Sequence, residues 1–347
     1  MHDIHLATLT TSLIQLVLLA LAAFVLSVIM TPIYTGFAYR YRFWKRQRST
    51  STNGEALSVF TKLHASKFER NIPTMAGLII VASVTIVTVL VNLDRQQTWL
   101  PLAALIGGGV VGLIDDIINI RGKKLGVAGL RSGIKFAMIL AVAVVGAWFF
   151  YYKLGFHSIH VPFMTGQWEL GWWVMPLFVL AVVSTSNAVN ISDGLDGLAG
   201  GLAASAFTFY AAIALLQGNV GIAGFCFTIL GALISYLWFN VYPARFFMGD
   251  VGSFALGTVL GVVAMLTNSI LLLPIIGAMF VIEVASSAVQ LLSKRFFHRR
   301  VMLSAPIHHH LEAIGWPETK VTMRFWLIAN VTGFVGLLIA LAGGHIA

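Results

Sequence analysis

Residues 11–39 read TSLIQLVLLALAAFVLSVIMTPIYTGFAY, an apolar stretch without one charged side chain. About 20 apolar residues in a helix cross the hydrocarbon core of a bilayer, so this stretch spans with length to spare. Nine further apolar runs follow, at 75–92, 98–114, 136–152, 172–190, 197–216, 220–239, 251–267, 270–293 and 325–343. Lipid offers no partner to open backbone groups, and these runs exceed what a barrel strand needs. The expected fold is an all-α polytopic membrane protein of about ten transmembrane helices. Composition agrees: 58% of the 347 residues are hydrophobic and 10% charged, against roughly 25% charged in soluble domains. The polar sequence between runs leaves no room for a separate soluble domain, which predicts one integral-membrane domain over 1–347. The first run is not expected to be a cleavable signal, because Met1 to Leu6 carries no basic residue and the apolar stretch is too long.

Orientation follows from the 22 Lys and Arg. Arg40, Arg42, Lys45, Arg46, Arg48, Lys62, Lys67 and Arg70 lie on or beside the first connection, and Arg121, Lys123, Lys124, Arg131 and Lys135 on the third. Arg245 lies on the seventh, and Lys294, Arg295, Arg299, Arg300, Lys320 and Arg324 on the ninth. Only Arg95 and Lys153 fall on even-numbered connections. The positive-inside rule makes the odd connections cytoplasmic and both termini extracytoplasmic. The net charge of +9 is therefore a topology signal that also suits anionic headgroups. No aromatic-interleaved basic module points to nucleic acid. The single Cys226 lies inside a span, which rules out an intramolecular disulfide and a thiolate zinc site.

Thirteen acidic residues are few enough to place singly. Asp115 and Asp116 end the third span, Asp193 and Asp196 lie between the fifth and sixth, and Asp250 opens the eighth. All five fall on the cytoplasmic side, at one depth, beside Asn187, Asn190 and Asn240. Charges this close to hydrocarbon are costly and mark function. Helix capping explains any one of them, Asp196 above all, but explains the set less well. Clustered carboxylates without thiolates suit a hard cation such as Mg2+, which takes one or two carboxylates together with substrate phosphates. The active site is therefore expected at the cytoplasmic face. Gly next to Asp in NAVNISDGLDGLAGG (187–201) and FMGDVGS (247–253) lets backbone amides approach phosphate. Gly107 to Gly109 read instead as close helix packing.

His308, His309 and His310 form a run between Pro306 and Glu312 in the last cytoplasmic loop. Three consecutive residues cannot share one helical face, so this is not an HExxH zinc motif. Imidazoles beside basic residues suit a diphosphate, with a chance polar run as the alternative. Glu283, Ser286, Ser287 and Gln290 make a polar stripe along the ninth span. Interhelical hydrogen bonding and a substrate groove explain it equally well.

These motifs together resemble the polyprenyl-phosphate N-acetylhexosamine-1-phosphate transferases. The likeness runs from about Pro73 to Arg324 through PTMAG (73–77), GLIDD (112–116), GLRSGIK (129–135), NAVNISDGLDGLAGG, WFNVYPARFFMGDVGS (238–253) and PIHHHLEAIGWPE (306–318). The aspartate motifs belong to the whole family, whereas PIHHHLE followed by GWPE is similar to its muramoyl-pentapeptide branch. NIPTMAG (71–77) stands where the family usually has GTPTMGG. The resemblance implies that Asp115 and Asp116 engage the lipid phosphate and that Asp250 binds Mg2+. It implies that Lys135, Asn187, Asn190 and Asp193 line the diphosphate site. Asp196 and Asn240 would hold the uridine, Phe247 would stack on uracil, and His308, His309 and His310 would meet the diphosphate or sugar. The implied donor is UDP-N-acetylmuramoyl-pentapeptide and the acceptor undecaprenyl phosphate, in the bacterial cytoplasmic (inner) membrane, with a homodimer left open. The rival enzyme is a GlcNAc-1-phosphate transferase of the same family. A transporter built on the Glu283 stripe and a non-catalytic cell-wall scaffold are the rivals of other classes.

Overall fold

The computed structural model describes residues 2–44, 71–121 and 129–344. Lys45, Arg46, Arg48, Lys62, Lys67, Arg70, Lys123 and Lys124, used above for orientation, lie outside the described residues. The first eight apolar runs become α1 (His2–Arg40), α2 (Gly77–Val91), α3 (Trp99–Arg121), α4 (Ser132–Tyr152), α5 (Val174–Ser192), α6 (Leu198–Leu216), α7 (Val220–Asn240) and α8 (Gly249–Leu266). A small antiparallel hairpin, β1 (Ser158–His160) with β2 (Gln167–Glu169), joins α4 to α5. The chain continues through α9 (Leu273–Ile276), α10 (Ala278–Phe297), α11 (Ile307–Ala313) and α12 (Glu318–Ala342).

Among the described residues, eight helices are long and apolar enough to cross a membrane, or nine if a bent pair counts as one span. The short α2, at 15 residues, stands apart from these. The bent pair is the run 270–293, expected as one helix. It breaks at Gly277, with 78° between Ile270–Ile276 and Ala278–Phe297. Pro274 in the first turn of α9 donates no backbone hydrogen bond, and the Gly277 N–H closes that turn on the Leu273 carbonyl at 2.8 Å. Pro and Gly are the usual causes of so sharp a kink.

Every residue of α8, from Gly249 to Leu266, is buried. Lipid tails are as apolar as a protein core, so close packing by small residues holds such a helix in place. At Gly112 of α3, an added Cβ would lie 2.1 Å from the Asp250 carbonyl oxygen. At Gly108 it would lie 2.6 Å from the Phe254 carbonyl oxygen, and at Gly77 of α2, 2.3 Å from the Gly252 Cα. On the side facing α5, a Cβ on Gly257 would lie 2.5 Å from the Ser186 Cα. The Thr258 hydroxyl adds a 2.9 Å bond to the Ala104 carbonyl across the α3–α8 seam. Backbone thus rests on backbone, and α8 cannot slide along α3 without a clash.

Gly112→Ala is expected to lower the melting temperature in detergent, since overpacking costs about 1–3 kcal/mol or more. Gly36→Ala is the control, because nothing lies within 4 Å of its added Cβ. Equal melting temperatures for the two variants would refute the backbone-contact account.

Candidate active site

Residues 71–76, the end of α3, Leu130, the 193–197 turn, the 241–248 loop and α11 meet at one end of the bundle. There α3 does not stop at its acidic pair but continues to Arg121. Neighbours on a helix point about 100° apart, so the two aspartates face different helices. Asp115 faces α4: its Oδ2 lies 2.6 Å from Lys135 Nζ, and its Oδ1 accepts the Leu130 N–H at 2.6 Å. Asp116 faces α8 and accepts the Val251 N–H at 3.1 Å. It thereby satisfies one of the donors that every helix start leaves open, at the positive end of the helix dipole. Gly249 precedes that turn with φ +76°, and a Cβ there would lie 2.6 Å from Asp116 Oδ2. Glycine is therefore required by both conformation and space.

Asp250, in the first turn of α8, lies 3.0 Å from the same Lys135 Nζ. One ammonium thus sits between two carboxylates from different helices, Asp115 being 1% and Asp250 7% exposed. The Asn190 amide donates to Ser253 Oγ of α8 at 2.8 Å, whereas the Asn187 amide donates to Val183 O within α5. Asp193 caps the end of α5 and is partly buried.

The segments 73–77 and 247–248 pair along their backbones. The Phe247 N–H donates to Pro73 O at 2.8 Å, Ala76 N–H to Phe247 O at 3.0 Å, and Gly77 N–H to Met248 O at 2.9 Å. The Tyr34 hydroxyl braces this pair from α1 by donating to the Thr74 carbonyl. Phe246 is buried against Tyr34, Tyr236 and Phe239, with ring centroids 5.5–6.0 Å apart, whereas Phe247 is only half-buried. Asp196 Oδ2 accepts the Ala244 N–H at 2.9 Å. Asn240 accepts from the Gly197 N–H at 2.9 Å and donates to Phe246 O at 2.9 Å. Both side chains tie the 193–197 turn to the 241–247 loop. Glu318 joins them, its Oε1 taking the Asp196 N–H at 2.6 Å.

The histidines lie on the short helix α11 rather than in a loop. His308 Nδ1 is 2.7 Å from Glu283 Oε2, both side chains being wholly buried. The far side of its ring abuts Gly194, where a Cβ would lie 2.3 Å from His308 Nε2. His309 Nδ1 lies 2.9 Å from Glu312 Oε2, and His310 Nδ1 accepts the Leu303 N–H at 3.3 Å. The rest of the α10 stripe holds the same segment. Ser286 Oγ accepts the Ile307 N–H at 2.9 Å, and Gln290 Oε1 accepts the Val301 and Met302 N–H groups at 3.1 and 3.0 Å. Ser293 Oγ donates to Arg299 O at 3.0 Å. The stripe is thus a latch for residues 299–310, which removes the observation on which a transporter reading rests. Sequence reasoning offered interhelical hydrogen bonding for the Glu283 stripe, as the Glu283–His308 contact shows, but it named neither that partner nor any function for Glu318. The available signal was the helical spacing of the stripe just ahead of a histidine run.

Among the described residues, no group of three or more His, Cys, Asp or Glu could cage a metal. A hard divalent cation needs only one or two carboxylates and completes its shell with phosphate and water. Asp115 and Asp250 converge on a point already held by positive charge, so the donor set fits. A cavity of about 890 Å3 opens elsewhere, lined by Gln97, Lys153, His160, Gln217 and Asn268. It contains none of the acidic residues discussed above.

Residues 98–268 of this bundle match the glycosyl transferase family 4 model. A phospho-N-acetylmuramoyl-pentapeptide-transferase of Chloroflexus aurantiacus is 38% identical, covering 97% of this chain and 93% of its own. Proteins of the same name from Geobacillus thermodenitrificans and Clostridium kluyveri are 38% and 35% identical, covering 96% and 93% of this chain and 98% and 99% of their own. The chain belongs to the phospho-N-acetylmuramoyl-pentapeptide-transferase family, and it is an enzyme.

Glu283→Ala leaves the buried His308 nitrogen without its acceptor, which costs about 1–3 kcal/mol. Amide hydrogen exchange across 299–313 should quicken in that variant and stay at the wild-type rate in Ser287→Ala. Unchanged exchange in Glu283→Ala would show that the latch lies elsewhere.

Proposed function

We propose that the protein transfers phospho-N-acetylmuramoyl-pentapeptide from its UDP donor to undecaprenyl phosphate. The products are UMP and the first lipid-linked peptidoglycan precursor. The observation that carries this reading is the meeting of Asp115, Lys135 and Asp250 at one end of a membrane bundle. Two buried carboxylates and an ammonium at the end of a membrane bundle suit a reaction between a soluble anionic donor and a lipid phosphate. The whole chain acts as one unit in the bacterial cytoplasmic membrane, with the acidic end in the cytoplasm and both termini outside. A cysteine placed at Ser158, on the hairpin, should then react with an impermeant reagent added outside intact cells. Labelling only after lysis would reverse the orientation.

The reaction is attack by an acceptor phosphate oxygen on the sugar-proximal phosphorus, with cleavage of that phosphorus–oxygen bond to UMP. Asp250, with Asp115, would hold Mg2+, which when bound neutralises charge on the diphosphate. The second ionisation of a phosphate monoester lies near pH 6, so the acceptor is largely dianionic at neutral pH. A general base is then worth less than its usual 10²–10⁴-fold. Asp115 orients the acceptor beside Lys135, whose ammonium pairs with the phosphates, and Asn190 and Asp193 complete that side. Asp116 acts through α8 by holding the turn that carries Asp250. Asp196 and Asn240 shape the wall against which the uridine rests. His309 and His310 face the diphosphate or sugar, with His308 as their anchor.

Release of UMP by purified protein, given undecaprenyl phosphate and each nucleotide in turn, tests the function. The muramoyl-pentapeptide donor should turn over, and preference for UDP-GlcNAc would move the protein to the sister activity. Phe247 is the half-buried aromatic beside the acidic turn, and base stacking is worth about 1–3 kcal/mol. Phe247→Ala should weaken donor affinity about ten- to hundredfold at 1.4 kcal/mol per decade, with lipid affinity and melting temperature held. Phe246→Ala should instead lower stability and both affinities. Unchanged donor binding in a folded Phe247→Ala protein excludes the stacking contact.

A further inference from the structure

We infer that Lys135 and the divalent cation compete for one point between Asp115 and Asp250. The cation binds by displacing the lysine ammonium, which then becomes available to the donor diphosphate. This rests on the metal assignment made above and adds a function for the lysine to it.

Lys135 Nζ lies 2.6 Å from Asp115 Oδ2 and 3.0 Å from Asp250 Oδ2. Mg2+ binds oxygen at about 2.0–2.1 Å, so a cation shared by these two oxygens would occupy the volume of the ammonium itself. Like charges also exclude each other at that range. The two carboxylates are buried and need compensating charge. The lysine supplies one positive charge and a divalent ion two. Asp115 cannot easily turn away from the contest, because its Oδ1 is held by the Leu130 N–H at 2.6 Å. The backbone of Asp250 is held close against Gly112, where an added Cβ would lie 2.1 Å from the Asp250 carbonyl oxygen. Lys135 is the mobile member. Its side chain is 18% exposed, it sits in the first turn of α4, and neighbouring Gly133 has open space around it. A flexible four-carbon stem lets the ammonium swing without moving the helix.

Displacement has a thermodynamic consequence. A lysine expelled by the metal gains a partner when a diphosphate arrives, so metal and nucleotide should each tighten the other's binding by the same factor. Without the lysine, the metal meets no competitor and the coupling shrinks.

The experiment is a Mn2+ titration of the purified full-length protein, read by electron paramagnetic resonance, with and without UDP. Lys135→Met should bind Mn2+ about tenfold or more tightly than wild type in the absence of UDP, within the usual range of such couplings. UDP should tighten Mn2+ binding strongly in wild type and little in Lys135→Met. Lys135→Arg should follow wild type, and Lys135→Gln serves as a second neutral variant should the Met protein fold poorly. Equal Mn2+ affinities for wild type and both neutral variants would overturn the exchange while leaving the metal assignment standing. No bound Mn2+ in wild type even with UDP would overturn the metal assignment, and the exchange with it.

Discussion

The contact of Gly112 with the Asp250 carbonyl sets the rest of the site. A helix with no lipid-facing side can be held at one depth only by neighbours that touch its backbone. Here α2, α3 and α5 do so, through Gly77, Gly108, Gly112 and the Ser186 backbone. The hydrophobic effect gives little force between helices inside a bilayer, so depth and rotation depend on shape. Because α3 and α8 are locked in register at Gly112, Asp115 and Asp250 can share one ammonium at hydrogen-bond distance.

The adjacent aspartates on α3 divide two tasks that one residue could not perform. Asp115 turns toward the shared cation point, whereas Asp116 turns toward the start of α8 and anchors the turn that presents Asp250. Around this centre, Asp116, Asp196 and Asn240 each bond to backbone groups, which a low-dielectric setting favours. Asp196 and Asn240 stitch two loops together, and the Glu283 stripe holds the histidine helix. Stiff walls of this kind suit phosphoryl transfer, where catalysis is mostly positioning and charge compensation.

Much of this was legible in the sequence. Long apolar runs with few charges fixed the helices, because a bilayer leaves few alternatives. The five aspartates stood out because charges near hydrocarbon are rare. Three features stayed hidden, each for a physical reason. The break at Gly277 has its signal in Pro274 and Gly277, which a reading by hydropathy alone passes over. The helix of the third span runs on past its acidic pair to Arg121, with Asp115, Asp116 and Asn119 buried and Arg121 exposed, which an apolar run ending at 114 does not reveal. The α10 stripe could be seen, but its partners, the His308 ring and backbone amides of residues 301–307, do not follow from spacing alone. The same limit applies to Asn240, whose bonds run to the Gly197 amide and the Phe246 carbonyl.

The central claim is that the reaction is organised around the point shared by Asp115 and Asp250. Anomalous diffraction from crystals grown with Mn2+ and UDP tests it most directly. The account predicts a single strong manganese peak between these two carboxylates, with Lys135 turned toward the nucleotide phosphates. A peak at His308–His310, or one remote from Asp250 with Lys135 still bridging the two aspartates, would contradict it.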